Sequence, residues 1–515
     1  MFHTAQDTLF DVMPAYLGID LGTQSLKALL LDADRGILGS ASEPLSLLPN
    51  LPTGHSEQDP ADWLDALRSA VRKVLAETDT PAGAISAIGV SGQQHGFVPL
   101  DRDHQVIRPA KLWNDVSSAA QCAALRSEIG KERLFDLTSN HLPPGFTGGK
   151  IRWLREEEPE NHQRLALVLL PHDYINLWLT GDPVCEAGDA SGTGFFDIAS
   201  RQFVPEVMEA IAPGLAGCMP EILAPGAAAG RLCAHASSEL GLAEGTLVSA
   251  GSGDNMMAAL GSGAVNPGVV VMSIGTSGTV FACADQPVRD PEGEIAAFCD
   301  ATGHWLPLGC TMNATVTTEL TRSALGISID ELEDLVASAP AGADGALCLP
   351  FFTGERSPDL PEGTGAFLGL TPTNFDRAHV ARAAMEGATF ALARLLDRLI
   401  ALGLSVEEVR LTGGGSQSPT WRRIIASAID RPITTGIAAD AAALGAAVHA
   451  CWTHRRSESP DYTAAGCFAD LELESGLQQE LPDPQWSEIY RQRRSAYENA
   501  VRALTPEFPS LRSSP

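Results

Sequence analysis

Apolar residues at Tyr16, Leu17, Ile19 and Leu21, a Gly/Thr/Ser turn over residues 22–25, and a second apolar run from Leu26 to Leu31 predict a strand, a tight turn and an immediate second strand. The pattern returns at residues 268–281, GVVVMSIGTSGTVF. After the first hairpin, Ile37 to Pro44 reads as a third strand. Asp59 as N-cap and Pro60 at the first helical position then open a helix, with a stripe at Trp63, Leu64, Leu67, Val71, Val74 and Leu75 facing a sheet. Ile85 to Val90 reads as a buried strand, and Asp115 to Leu125 as a helix. Further strands are expected at Thr246–Ala250, Leu347–Phe352, Val409–Leu411 and Ile433–Thr435. Helices are expected from about Asn313 to Leu325, over Asp330–Ala339, Trp421–Ile429, Ala441–Thr453 and Trp486–Leu504, with the longest, Ala- and Leu-rich, at His379–Gly403. Strands mixed with helices make the chain α/β.

Both hairpins carry turns whose backbone N–H groups and hydroxyls suit phosphate oxygens. In the first, Asp20 stands at the strand end, where it would face a metal or a reacting hydroxyl. No helix follows the glycines, against a dinucleotide fold, and no Gly-Lys-Ser/Thr follows, against a Walker loop. Two such hairpins suggest a duplicated architecture holding one polyphosphate, with substrate in a cleft between halves. Other chemistry-bearing residues fall where strands give out. Gln94 and His95 follow Ile85–Val90 among glycines; Trp113 and Asp115 form a Trp-Asn-Asp set suited to stacking on and bonding a polyol, or a core Trp beside a helix cap. Lys150 begins a loop-to-helix passage and would contact an anion or face solvent. Asp254 and Asn255 follow Gly251-Ser252-Gly253, whose small residues leave space before the carboxylate. Gly413, Gly414 and Gly415, with Gln417 beyond them, would lie flat against a purine or ribose.

With 515 residues the chain exceeds a single core, and two domains are expected, at 15–245 and 246–505, with peripheral tails at 1–14 and 506–515. The formal charge of −29 argues against nucleic acid and anionic membranes as partners. Ten scattered cysteines without a C-x-x-C pair, and an N-terminus without a basic, signal-like segment, point to reduced thiols and a cytoplasmic location. The acidic stretch from Phe468 through Pro484 reads as peripheral, and the tail from Pro506 as frayed.

Tyr16–Lys27, Ser91–Gly96, Leu112–Asp115, Gly251–Asn255, Ser273–Gly278 and Leu411–Pro419, in order and at family spacing, together resemble the glycerol kinase/xylulokinase (FGGY) family of carbohydrate kinases, nearest its xylulokinase members. The likeness spans about residues 15–505. It implies two actin/hexokinase-like (ribonuclease H-like) ATPase domains, sugar-binding and nucleotide-binding, closing over ATP, Mg2+ and a small sugar, and a homodimer. It also implies ATP-dependent phosphorylation of D-xylulose at its 5-hydroxyl, with D-ribulose or another ketopentose or polyol as the alternative. Within that likeness Asp254 is the general base, and Asn255, Gln94, His95, Trp113 and Asp115 line the sugar pocket. Asp20, Gly22 and Thr23 form the first phosphate motif, with Asp20 toward the metal; Gly275 and Thr276 form the second, and Gly413–Gly415 the adenosine motif. Two departures are Gln94, where many bacterial members carry Met, and Asp440, where Glu is commoner. An actin-like ATPase switch or a non-enzymatic sugar sensor would share the core. Neither needs His95, Trp113 and Asp254 together.

Overall fold

The computed structural model describes residues 14–512, so the expectation of a short extension at the extreme N-terminus lies outside the described residues. The chain forms two compact units. One comprises the chain through Gly261 with Asp300–Gly303 and Asp440–Leu473; the other comprises Ser262–Cys299, His304–Ala439 and the chain from Glu474 onward.

The first unit is built on a seven-stranded mixed sheet. Ala15–Leu21, Ser25–Asp32 and Gly36–Pro44 form an antiparallel meander, and Ile85–Gly92 joins Ala15–Leu21 in parallel. Leu247–Ser249 then adds in parallel to Ile85–Gly92. That pairing carries the first unit past the boundary expected at 245/246, to Gly261. The helix Pro60–Glu77 starts as anticipated, with Asp59 accepting from the Ala61 N–H and Pro60 in the first turn. Its Trp63, Leu67, Val71 and Val74 share a core with Leu17 and Ile19.

Alternation along a strand turns Gly18 away from Leu17 and Ile19, toward the other face. There the helix Ala441–Glu458 lies so close that a Cβ on Gly18 would overlap the Ala443 carbonyl, and one on Gly89 the Ala446 carbonyl. The same helix presses backbone to backbone on Asp254–Gly261, where a Cβ on Gly445 would overlap the Met257 carbonyl and one on Gly261 the Ala441 carbonyl. A stretch remote in sequence therefore completes the first unit.

The second unit repeats the plan. Val269–Ile274 and Gly278–Ala282 form the second hairpin, Leu308–Thr311 extends it antiparallel, and Glu408–Thr412 joins Val269–Ile274 in parallel, followed by Ile433–Thr435. A three-stranded meander followed by two parallel strands thus occurs in each unit, as the duplication argument requires. The long helix, Arg377–Ala401, is buried along most of its length, as anticipated.

Three local expectations change. The helix expected from Asp115 starts at Ala119. The acidic stretch is not wholly peripheral, since Gln478–Glu480 pairs with Ile433–Thr435 and closes the edge of the second sheet. The tail is helical at Phe508–Leu511, where Phe508 is buried.

Replacing Gly445 by Val should lower unfolding free energy by about 2–3 kcal/mol, since the forced side chain can be relieved only by separating two helices. Gly217→Ala, at a position where an added Cβ meets nothing within 4 Å, should change it by no more than about 0.5 kcal/mol. Urea unfolding of the two variants reads the difference; equal midpoints would show that the close approach is not a constraint.

Candidate active site

The carboxyl ends of three neighbouring strands in the first unit line up Asp20, Ser91 and Ser252, since Asp20 is in register with Ser91 and Ser91 with Ser252. This edge of a parallel array is where open α/β sheets present ligand groups. The Ser91 hydroxyl donates to Asp20 Oδ1 at 2.8 Å, leaving the second carboxylate oxygen for a ligand. Burial raises the Asp20 carboxyl above its ordinary range, and Ser91 and Lys27 offset only part of that shift. Asp440, the second departure from the family pattern, receives Lys27 Nζ at 2.7 Å on the same unit.

Asp254 opens the helix Asp254–Gly261 directly after Ser252–Gly253. Its Oδ1 accepts from the Asn255 N–H (2.8 Å) and from Asn255 Nδ2 (3.0 Å), and Asn255 Nδ2 also donates to Gln94 Oε1 (2.7 Å). Burial, reinforced by the negative charges of Asp20 and Asp189, pushes the Asp254 carboxyl up to about 8. The structure thus brings Asp20, Gln94, Asp254 and Asn255 to one strand edge. Gly253 is required there, because a Cβ would meet Gln94 Cγ at 2.5 Å. Gln94 Nε2 is buried and has no hydrogen-bond partner among the described residues. Such a donor is costly unless a ligand takes it up.

His95 lies in the same turn, its ring 4.6 Å from that of Phe146. Trp113 is 36% exposed, and its Nε1 donates to Thr23 Oγ1 at 3.0 Å. Thr23 in turn donates to Gln93 Oε1 at 3.1 Å. The Thr23 hydroxyl is therefore engaged within the protein, accepting from Trp113 and donating to Gln93. The turn of the first hairpin is tied by Gly22 N–H to the Ser25 carbonyl at 3.0 Å.

Asp115 departs from the expected sugar contact. It is wholly buried and accepts from the Ser56 N–H (2.9 Å), Lys111 Nζ (3.2 Å) and both the N–H and hydroxyl of Ser117. Its carboxylate has internal donors on both oxygens, so it anchors the Trp113 segment instead. His55, Glu57 and Asp115 lie close enough to suggest a metal trio. The ammonium of Lys111 already holds that place: it reaches Glu57 Oε1 at 2.9 Å, His55 Nδ1 at 3.3 Å and the ring centroid of Trp153 at 3.9 Å. Burial would raise the Glu57 carboxyl, but Arg108 and Lys111 outweigh it and hold it below its ordinary value.

In the second unit, Gly275 N–H donates to the Ser277 carbonyl at 3.1 Å, and the Gly275 and Thr276 carbonyls accept from Thr315 (2.9 Å) and Ala314 (3.1 Å). The second turn is thereby seated on the start of the helix Thr315–Leu325. The three glycines after Glu408–Thr412 are not equivalent. A Cβ on Gly413, which has a φ of 85°, would meet Ile274 O at 2.6 Å, and one on Gly415 would meet Ile274 Cγ2 at 2.5 Å. Only Gly414 would meet nothing within 4 Å. Packing against the hairpin strand thus requires glycine at 413 and 415, while the space at Gly414 is open; Gln417 is exposed beside it.

Sequence reasoning missed the polar groups beneath the site. Lys150 meets neither anion nor solvent, since it is fully buried and donates to the carbonyls of His95 and Gly145 at 2.6 Å each. His172, Asp189 and Glu186 are also buried, with Glu186 accepting from Ser252 Oγ at 2.8 Å. Burial pushes the Glu186 carboxyl up to about 7. The available signal was charged residues embedded in apolar or glycine-rich stretches, which names no partner.

Residues 15–261 match the model for the FGGY family of carbohydrate kinases, N-terminal domain, and residues 270–454 the model for the C-terminal domain. The chain is 38% identical over 451 residues to a xylulose kinase from Haemophilus influenzae, covering 86% of this chain and 91% of that protein. It is 32% identical over 494 residues to a xylulose kinase from Escherichia coli, covering 95% and 99%. The crystal structure of a xyloylose kinase from Brucella ovis superposes with a TM-score of 0.88 at 33% identity, covering 95% of this chain and 99% of that one.

Lys111→Met should destabilise the protein by about 3–5 kcal/mol, because it leaves the buried carboxylates of Glu57 and Asp115 without their shared cation. Chemical denaturation at neutral pH measures this. A variant as stable as the parent would mean that the ammonium does not hold the cluster together.

Proposed function

The chain belongs to the FGGY family of carbohydrate kinases, and from that premise we propose that it transfers the terminal phosphoryl group of ATP to the 5-hydroxyl of D-xylulose. The observation that carries the reading is the pairing of Asp254 with a buried, unsatisfied amide donor, Gln94 Nε2, through Asn255. A hydroxylated ligand satisfies that donor while presenting an O–H to the carboxylate. An ATP switch without a sugar substrate has no use for this combination. The curated relatives named as xylulose kinases support the choice of ketose.

Asp254 Oδ1 is fixed by Asn255, so its other oxygen is the one to receive the hydroxyl proton as the sugar oxygen bonds to phosphorus and ADP departs. An elevated proton affinity suits a carboxylate to that task, because a weakly basic one would not hold the proton. Asp20 is the rival carboxylate, but it sits in the phosphate hairpin, in hydrogen-bonding contact with Ser91. The donor set fits a hard divalent cation: Asp20 has an oxygen to spare, and its negative charge, which disfavours ionisation of Asp254, would be offset by a positive charge between phosphate and protein. Mg2+ bound with ATP would supply charge neutralisation of the phosphates. In the second unit, the hairpin at Gly275 and Thr276 and the open surface at Gly414 are the groups we assign to the nucleotide.

Asp254→Asn should leave xylulose and ATP affinities within about threefold while kcat falls by at least roughly a hundredfold. The carboxylate must be ionised to accept the proton, so kcat/KM of the parent rises with pH through its pKa, and this limb is expected to vanish in the variant. Turnover within tenfold of the parent would move the base elsewhere. A panel of ketoses and polyols with Mg-ATP tests the substrate: D-xylulose is expected first, D-ribulose weaker and glycerol poor, with NMR placing phosphate on O5. A panel led by D-ribulose would reassign the substrate and point to Gln94 as the cause.

A further inference from the structure

His95 has a φ of 64°, in the left-handed region that a residue with a Cβ seldom occupies without outside support. The support for its backbone comes from two separate elements. Lys150 Nζ (2.6 Å) and Thr147 Oγ1 (3.2 Å), both on the helix Thr147–Glu157, donate to its carbonyl. Its N–H points at Asp189 Oδ1 (3.4 Å) on the short turn Ala187–Ala190. Asp189 is itself paired through Oδ2 with His172 Nδ1 at 3.0 Å, and His172 Nε2 lies 3.0 Å from Asp173. The ring is walled as well, by Phe146 on one side and by Gly192, where a Cβ would overlap His95 Nδ1.

We infer that Lys150 and Asp189 are positioning residues for sugar binding: they grip the two backbone polar groups of His95 and thereby fix the direction of its imidazole. The inference rests on the reading of His95 as a sugar contact. A buried lysine spent on two backbone carbonyls, neither of which neutralises it, is a poor stabilising device. Burial drives its proton affinity down to about 7 even with Asp115 and Asp189 opposing that shift. Holding a strained neighbour in place is a use that its geometry does fit. His172 keeps Asp189 in register from beneath: burial disfavours its charged form, but the carboxylates on either side outweigh this and raise its pKa well above the ordinary value.

A double-mutant cycle on the full-length enzyme tests this, with steady-state KM for D-xylulose, KM for ATP and kcat as readouts. His95→Ala and Lys150→Met are each expected to raise the xylulose KM at least about tenfold, with the ATP KM within about twofold. In the His95→Ala background, Lys150→Met should add less than about twofold, since its target is gone. Lys150→Met without effect, or with its full effect in both backgrounds, overturns the inference while leaving His95 as a sugar contact. His95→Ala without effect overturns the sugar contact and the inference with it. If Lys150→Met does not fold, Thr147→Val removes the second donor to the same carbonyl and is read by the same cycle.

Discussion

Everything at the first-unit site hangs on how closely one helix can approach. Ala441–Glu458 lies against two strands and against Asp254–Gly261 with carbonyl oxygens where side chains would otherwise stand. Interiors are packed to near-crystalline density, so a contact of this kind fixes position to a fraction of an ångström. The helix bearing Asp254 is therefore registered against the same sheet whose strand ends carry Asp20 and Ser91. The carboxylate separation follows from backbone contact, not from flexible side chains.

Above that scaffold, the site concentrates charge in places where water cannot relieve it. Asp254, Asp189 and Glu186 all have raised proton affinities, and the first cause in each case is burial. Lys111 and Lys150 are both fully buried, yet they are used in opposite ways. Lys111 is surrounded by carboxylates and an aromatic face and keeps a charged cluster closed to metal. Lys150 is directed at neutral carbonyls, and its burial, which the more distant Asp115 and Asp189 offset only in part, leaves its charge weakly held. Groups that cost stability are retained where they hold a backbone or a carboxylate in place.

Much of this was legible in the residues. Alternation and turn chemistry marked both hairpins, and the Asp59-Pro60 cap marked its helix because capping is local. The residues at strand ends were found because glycine and polar groups interrupt apolar runs there. Long-range partners were not legible. Nothing near Asp115 in sequence announces Ser56 N–H, so a carboxylate saturated by internal donors looked like a sugar ligand. Nothing near Gly413 announces Ile274, so the packing demand that requires glycine at 413 and 415 could not be read from their own segment. The boundary at Gly245 failed for the same reason, since strand pairing with Ile85–Gly92 is a property of the sheet and not of the segment.

The return of residues Asp440–Leu473 to the first unit has a consequence for how the protein is made. On the ribosome, the strands carrying Gly18 and Gly89 emerge long before the helix that covers them. At ordinary elongation rates the delay is on the order of tens of seconds. Through that interval the nascent sheet presents an uncovered, glycine-notched face, and the intervening segment has time to collapse around its own hairpin. The first unit is thus closed by a late-arriving helix, and a chain terminated before it would lack the cover of one whole face of its first sheet.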